Sequence, residues 1–243
     1  MDALGFGTYK LPKNTAYDMV KLALDKGIRI IDTAQLYCNE KMVFKAIEDS
    51  DVSRDEIFLC TKISTKYHGN IEKYVRQRLR IFDYIDLLLL HWPSTDHIKG
   101  WEILSDIKRE NPDKIKNIGL CNISVDLMKE IMIDNEAPYA IQNELNPFCY
   151  DKELIDFCRE NNIKVIAHSC LSFGKALEYP EIKSLSKEYG YTPAKILLRW
   201  AKEYADIILT SCDNEEYLVD NMKLDIPYID VDTDRKERLY YFR

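Results

Sequence analysis

The chain has 243 residues, 46% hydrophobic and 31% charged, the balance of a globular protein able to bury a sizeable core. Its formal net charge of −7 excludes a dedicated nucleic-acid binder, which needs clustered Lys and Arg against phosphate. No apolar run approaches the ~20 residues that cross a bilayer, and Met1-Asp2-Ala3-Leu4-Gly5 lacks the basic and apolar regions of a secretory signal.

In chain order, Leu4 to Tyr9 reads as a short strand before the Pro12 turn. Asn14 is the expected N-cap of a helix over 16–26, where Tyr17, Val20 and Leu24 recur at helical spacing and Gly27 ends the element. Ile28–Asp32 is the next strand, and a helix over 39–49 carries Val43, Ala46 and Ile47 on one face. The alternation continues with strands at Ile57–Lys62, Ile85–His91, Ile115–Cys121, Tyr139–Glu144, Lys164–Ser169 and Ala205–Thr210. Helical stretches lie near 71–82, 99–110, 124–135, 151–161, 181–189, 193–204 and 214–222. Near-continuous runs such as Leu87 to Leu90 mark strands buried on both faces, hence a parallel sheet. Eight such units predict a closed (β/α)8 TIM barrel, a single α/β domain over 1–243, with 224–243 as a tail of unassigned structure that ends in the basic group Arg235, Lys236 and Arg238. Gly5-Phe6-Gly7 begins like a dinucleotide fingerprint, but Lys10 stands where the third glycine belongs.

Seven cysteines, at 38, 60, 121, 149, 158, 170 and 212, are odd in number and never spaced Cys-x-x-Cys. That pattern supports neither a disulfide framework nor a zinc site, and points to a reducing, cytoplasmic setting with no metal.

The C-terminal ends of three successive strands carry Asp32, Lys62 and His91, and Tyr37 follows Asp32 in its loop. In a barrel those ends converge on one face, so the four groups are expected to share a pocket. Each alone has a bland reading as a cap, a solvated lysine or a structural histidine. Together they suit carbonyl reduction, where the nascent alkoxide needs a proton. A tyrosine with an unperturbed pKa near ~10 donates it more readily when a cation lowers that value. Lys62 is the expected cation, Asp32 its charge partner, and His91 the hydrogen-bond donor to the carbonyl oxygen.

With these residues in hand the sequence resembles an aldo-keto reductase. The matching segments are Gly5 to Tyr9, Asp32-Thr33-Ala34, Tyr37 to Glu40, Thr61-Lys62, His91-Trp92-Pro93, Ile118 to Asn122, Gln142-Asn143-Glu144, Ser169 with Leu171, and Asp220-Asn221. They run in family order over nearly the whole chain. The resemblance implies a (β/α)8 barrel, a nicotinamide cofactor along the strand C-termini, and a catalytic tetrad of Tyr37, Asp32, Lys62 and His91. It further implies that Asn122 and Gln142, with Cys121, hold the carboxamide. His168 would lie on the nicotinamide ring, and Gly7, Thr8 and Tyr9 would line the cofactor. Ser169 and Leu171 would meet the pyrophosphate, and Asp220 and Asn221 the adenine. Tyr9 and Trp92 would wall the substrate pocket.

Cys121 stands where the family usually has serine, and His168 where it has an aromatic ring. A short loop after His91, over Ser94 to Lys99, and a chain ending soon after Asn221 predict an open pocket and broad specificity. NADP(H) is the cofactor the family implies. The lysine and arginine that clamp its 2′-phosphate align with Ser211 and Tyr217, among Asp213, Glu215 and Glu216. NAD(H) is therefore admitted, and the expected NADPH preference is small, with Lys175 and Lys223 as alternative cations. The expected partner is a small-molecule carbonyl substrate acting on a monomer, with no nucleic acid or membrane. Two other classes remain open: a catalytically idle barrel acting as a regulatory or binding subunit, and a Schiff-base lyase using Lys62.

Overall fold

A computed structural model describes residues 4–64, 71–93 and 96–231. The first half comprises β1 (Leu4–Gly7), α1 (Lys13–Asp25), β2 (Ile30–Asp32), α2 (Glu40–Glu48), β3 (Phe58–Ile63), α3 (Ile71–Arg78), β4 (Ile85–Leu90) and α4 (His97–Glu110). The second comprises β5 (Ile115–Cys121), α5 (Val125–Ile131), β6 (Ala140–Glu144), α6 (Lys152–Glu160) and β7 (Lys164–His168). It continues through α7 (Pro180–Tyr189), α8 (Pro193–Tyr204), β8 (Ile207–Thr210) and α9 (Glu215–Met222). The strands pair in parallel in chain order, and β8 returns to β1, with Leu4 opposite Ile208 and Phe6 opposite Thr210, to close the barrel.

Two apolar layers follow from the period-two alternation of strands. Outward positions such as Phe6, Ile31, Leu59, Leu88, Leu90, Leu120 and Ala167 pack beneath the helices. Inward positions Ile30, Cys60, Leu87, Leu89, Cys121, Ala140, Ile166, Ile207 and Leu209 fill the barrel itself. Small residues make that interior possible. A β-carbon on Gly119 would lie 2.2 Å from the Ala140 carbonyl oxygen, and one on Gly5 2.8 Å from side chains of Ile30 and Leu209.

The helix starts show where local chemistry was and was not readable. Asn214 accepts from the Tyr217 N–H, Thr192 from Lys195, Asp151 from Leu154 and Ser124 from Leu127, each a side-chain N-cap. Asn14 is not one. Helix α1 begins at Lys13, with Pro12 as its N-cap at φ −55° and its carbonyl accepting from the Ala16 N–H. Proline's fixed φ starts the helix two residues earlier than a polar cap would. Helix α3 stops at Arg78 rather than 82, and most strands are one or two residues shorter at an end than expected. A 3-10 stretch over Ser172–Glu178 lies where no element was expected.

Part of the tail is described. Leu224, Ile229 and Val231 are buried, and Arg199 of α8 donates to the Ile226 carbonyl while covering the Tyr228 ring at 5.6 Å. The basic group Arg235, Lys236 and Arg238 lies outside the described residues, as do Ser94 and Thr95 of the β4–α4 connection.

Candidate active site

Extending the inward alternation one step toward each strand's C-terminal end brings polar groups together over the apolar interior. Ile30 is followed by Asp32, Cys60 by Lys62, and Leu89 by His91. On the other half Gly119 is followed by Cys121, Ala140 by Gln142 and Ile166 by His168. The four expected groups do meet. Lys62, 1% exposed, donates to Asp32 Oδ1 at 2.6 Å, to the Thr33 carbonyl at 3.0 Å and to the Tyr37 hydroxyl at 3.3 Å. Its three N–H donors thereby find three acceptors, which a buried ammonium requires. The Tyr37 ring meets the His91 ring edge-on at 5.8 Å between centroids.

The electrostatics differ from the expectation in one respect. Burial opposes the Lys62 charge, but the Asp32 carboxylate, joined at high pH by ionised Tyr37, outweighs it and holds lysine above its usual range. For Tyr37, burial raises the phenol above its ordinary value, and the Lys62 ammonium pulls against this without reversing it. The lysine thus moderates the tyrosine rather than setting its net direction, and the phenol stays protonated at neutral pH. Burial first, then Lys62 and His168, pull His91 down to about 3, so its imidazole is neutral. His91 Nδ1 is buried with no hydrogen-bond partner among the described residues.

Around the tetrad, Asn39 anchors the entry loops. Its amide donates to the Thr8 and Leu11 carbonyls at 2.9 and 3.1 Å, and its oxygen accepts from Thr33 Oγ1 at 3.3 Å. The sequence carried Asn39 as part of a motif without a role. Thr8 also donates to the Asp32 carbonyl, which fixes Gly7 and Tyr9 beside β2. Tyr9 lies 4.9 Å from the Tyr37 ring and 6.0 Å from Phe173, a residue the sequence reading passed over. Lys10 Nζ sits 4.8 Å above Phe173 and 5.4 Å above Tyr9. Trp92 stacks beside His91 at 6.2 Å. The mouth is therefore walled by aromatic rings from the loops after β1, β4 and β7.

On the far side, Asn122 donates to the His91 carbonyl at 2.9 Å and to Cys121 Sγ at 3.2 Å, while its oxygen lies 2.9 Å from His168 Nε2. His168 Nδ1 lies 3.0 Å from the Ser169 hydroxyl, and burial followed by Lys62 pulls its imidazole down to about 3. Gln142, 1% exposed, donates to Asp32 Oδ2 at 2.7 Å. Glu144, which burial pushes up to about 7 against a bond from Asn146, closes β6 opposite His168. Ser169, Ser172, Phe173 and Gly174 all have φ between 47° and 86°, so the loop carrying Leu171 turns sharply over the mouth. Beyond β8, Ser211 and Tyr217 are exposed. Asp220 pairs with Lys195 of α8 at 2.7 Å and accepts from Thr192, the N-cap of that helix, at 2.8 Å, and Asn221 donates to Thr210 Oγ1 at 2.8 Å.

The sequence profile of the Aldo/keto reductase family matches residues 3–227. The chain belongs to that family. It is 35% identical over 228 residues to the methylglyoxal reductase DkgB of Yersinia pestis, covering 90% of this chain and 85% of that protein. It is 32% identical over 259 residues to the aldehyde reductase YPR1 of Saccharomyces cerevisiae, covering 91% and 82%. Among solved structures, an aldo-keto reductase enzyme from a Medee basin deep-sea metagenome library superposes with a TM-score of 0.84 at 30% identity, over 95% of this chain and 88% of that one. Aldo-keto reductases are NAD(P)H-dependent oxidoreductases, and this barrel is one of them. Within this member no described helix is long and apolar enough to cross a membrane. Among the described residues no group of His, Cys, Asp and Glu is arranged to hold a metal ion.

Proposed function

We propose that this aldo-keto reductase reduces the carbonyl of small aldehydes or ketones to the alcohol, with Tyr37 as proton donor. The observation that carries the reading is the unbroken line from Asp32 through Lys62 to the Tyr37 hydroxyl, at 2.6 and 3.3 Å, beside a neutral His91. A substrate oxygen held by His91 and Tyr37 accepts the phenolic proton as negative charge develops on it. The Lys62 ammonium stabilises the tyrosinate left behind, and Asp32 keeps that ammonium charged. A Schiff-base lyase needs a neutral lysine, which this ion pair disfavours.

The donor set fits a nicotinamide dinucleotide in kind. Asn122, Gln142 and Cys121 bring amides and a thiol to β5 and β6. His168 offers a neutral ring face, and Ser169 and Leu171 a hydroxyl and turned backbone for phosphate. When bound, the dinucleotide supplies the hydride. Gly7, Thr8 and Tyr9 would line it, and Asp220 and Asn221, already tied to Lys195 and to Thr210, would meet its adenine. Ser211 and Tyr217 give the 2′-phosphate no cation. Two flanking charges are spoken for, since Lys26 pairs with Glu215 at 2.6 Å and Lys195 with Asp220. Hydrogen bonds to charged groups are worth about 1.5–3 kcal/mol each, so two missing clamps weaken an NADPH preference by ~100-fold or more. NADPH therefore holds at most a small advantage over NADH. Dissociation constants for both, measured at low and moderate salt, check this; a strong, salt-sensitive preference for NADPH contradicts it.

The protein acts as a monomer on this reading, with few side chains beyond the aromatic rim to select substrates. Mixing it with each cofactor and a panel of aldehydes tests the function. Cofactor oxidation that depends on aldehyde is expected. Tight binding without turnover of any carbonyl would leave a binding barrel instead.

A further inference from the structure

Gln142 is expected from the family resemblance to face the nicotinamide carboxamide, yet its amide is already engaged elsewhere. Nε2 donates to Asp32 Oδ2 at 2.7 Å across the barrel, 110 residues away in sequence. Both groups are buried, at 1% and 2% exposure, so water does not substitute for this bond. The amide cannot be flipped, because a carboxylate accepts and a carbonyl oxygen would repel it. Two thiols bracket the same amide, with Cys121 Sγ donating to Oε1 and Cys60 Sγ beside Nε2, each at 3.9 Å. Asp32 has one oxygen on Lys62 and the other on Gln142.

The geometry points to Gln142 as a positioning residue of the proton relay, holding Asp32 ionised and aimed at Lys62. A buried carboxylate keeps its charge when hydrogen bonds satisfy both oxygens, and losing a donor favours the protonated form. The groups that face Asp32 and Lys62 are Tyr37 from the loop after β2, Cys60 from β3, His91 after β4, Cys121 from β5 and His168 from β7. Glu40 of α2 adds a charge felt by Lys62 from behind β3. His91 and His168, both pulled down to about 3, are neutral at neutral pH, and the thiols are held protonated by burial. Gln142 is thus the amide donor opposite Lys62 on this carboxylate, with the Cys60 thiol as a weaker second donor. When Asp32 takes a proton, Lys62 stays an ammonium but loses the counter-charge that aims it at the Tyr37 hydroxyl.

This inference rests on the reductase reading. The test is the pH profile of aldehyde reduction by the wild type, Gln142→Met, which keeps the shape without the donor, and Gln142→Asn, which keeps an amide too short to reach. The acid limb of kcat is expected to move up by about one to two pH units in both variants, since a lost bond to a charged group is worth that much. A movement of the limb supports the relay role, with or without a change in cofactor dissociation constant. An unmoved limb overturns it, whether the cofactor constant rises or stays, because a residue that merely grips the carboxamide changes affinity at every pH alike. A second readout is independent of turnover. The Lys62 ε-ammonium NMR signal, assigned by its loss in Lys62→Met, reports the protonation of its counter-ion. On acidification it is expected to shift at a higher pH in Gln142→Met than in wild type; coincident titrations overturn the proposal even if no aldehyde proves to be a substrate.

Discussion

At the level of single residues, the site works by contrast between neighbours. A charged lysine with all three donors occupied sits against a protonated phenol and a neutral imidazole, each state fixed by burial and by the pairing of Lys62 with Asp32. Replacing Tyr37 by phenylalanine removes one hydroxyl and leaves the ring contacts with Tyr9 and His91. Turnover should fall by ~100- to 10,000-fold, the usual worth of a positioned general acid, while cofactor affinity changes little. Steady-state rates together with fluorescence titration of the cofactor check both halves. Unchanged turnover removes Tyr37 from the mechanism.

The loop after β7 shows how far single elements were legible. Strands were readable because their apolar runs and alternation are local properties. The same alternation, carried one residue past each run, leads to Asp32, Lys62, His91, Cys121, Gln142 and His168. The pairing of Lys62 with Asp32 beside Tyr37 was expected, and both contacts are present. The Gln142–Asp32 bond was not readable, because it joins strands on opposite walls and depends on barrel closure. The N-cap at Asn14 failed because Pro12 sets the backbone before any polar cap can act. Phe173 was passed over because nothing local marks an exposed aromatic as a wall; its meaning comes from Tyr9, far away in sequence. It also holds a left-handed backbone, φ 55°, at 40% exposure. That conformation costs a residue with a β-carbon roughly 1–2 kcal/mol, which glycine avoids. Phe173→Gly should therefore raise stability by about 0.5–1 kcal/mol while raising KM for apolar aldehydes severalfold. Phe173→Ala should raise KM without the gain in stability. Urea titration and steady-state kinetics on the pair separate strain from contact.

Taken whole, the molecule encloses a buried His91 and a partly buried His168, both pulled down to about 3. Unfolded histidine titrates near ~6.5, so below that pH the unfolded chain binds protons that the folded one refuses. Their contribution to stability is complete above pH ~6.5 and declines as pH falls toward about 3, by about 1.4 kcal/mol per pH unit for each. Lys62, held above its usual range, makes no such demand in acid, its loss coming at alkaline pH. Glu144, pushed up to about 7, works the other way from the histidines, since the folded chain takes its proton first. Denaturant unfolding at pH 7 and pH 5 should therefore differ by about 2 kcal/mol in favour of pH 7, and His168→Tyr should shrink that gap. A gap unaltered in that variant would assign acid sensitivity elsewhere. The closed strand order has a consequence in time. Tyr37, Asp32, Lys62 and His91 come from the first four strand units, but the second oxygen of Asp32 waits for a glutamine from the sixth, and the ring is sealed when β8 meets β1. Contacts so distant in sequence form late, because loop closure must precede them. During refolding, helical signal should therefore return before the enzyme works, and the lag in regained turnover should match the slow step that joins the last strand to the first.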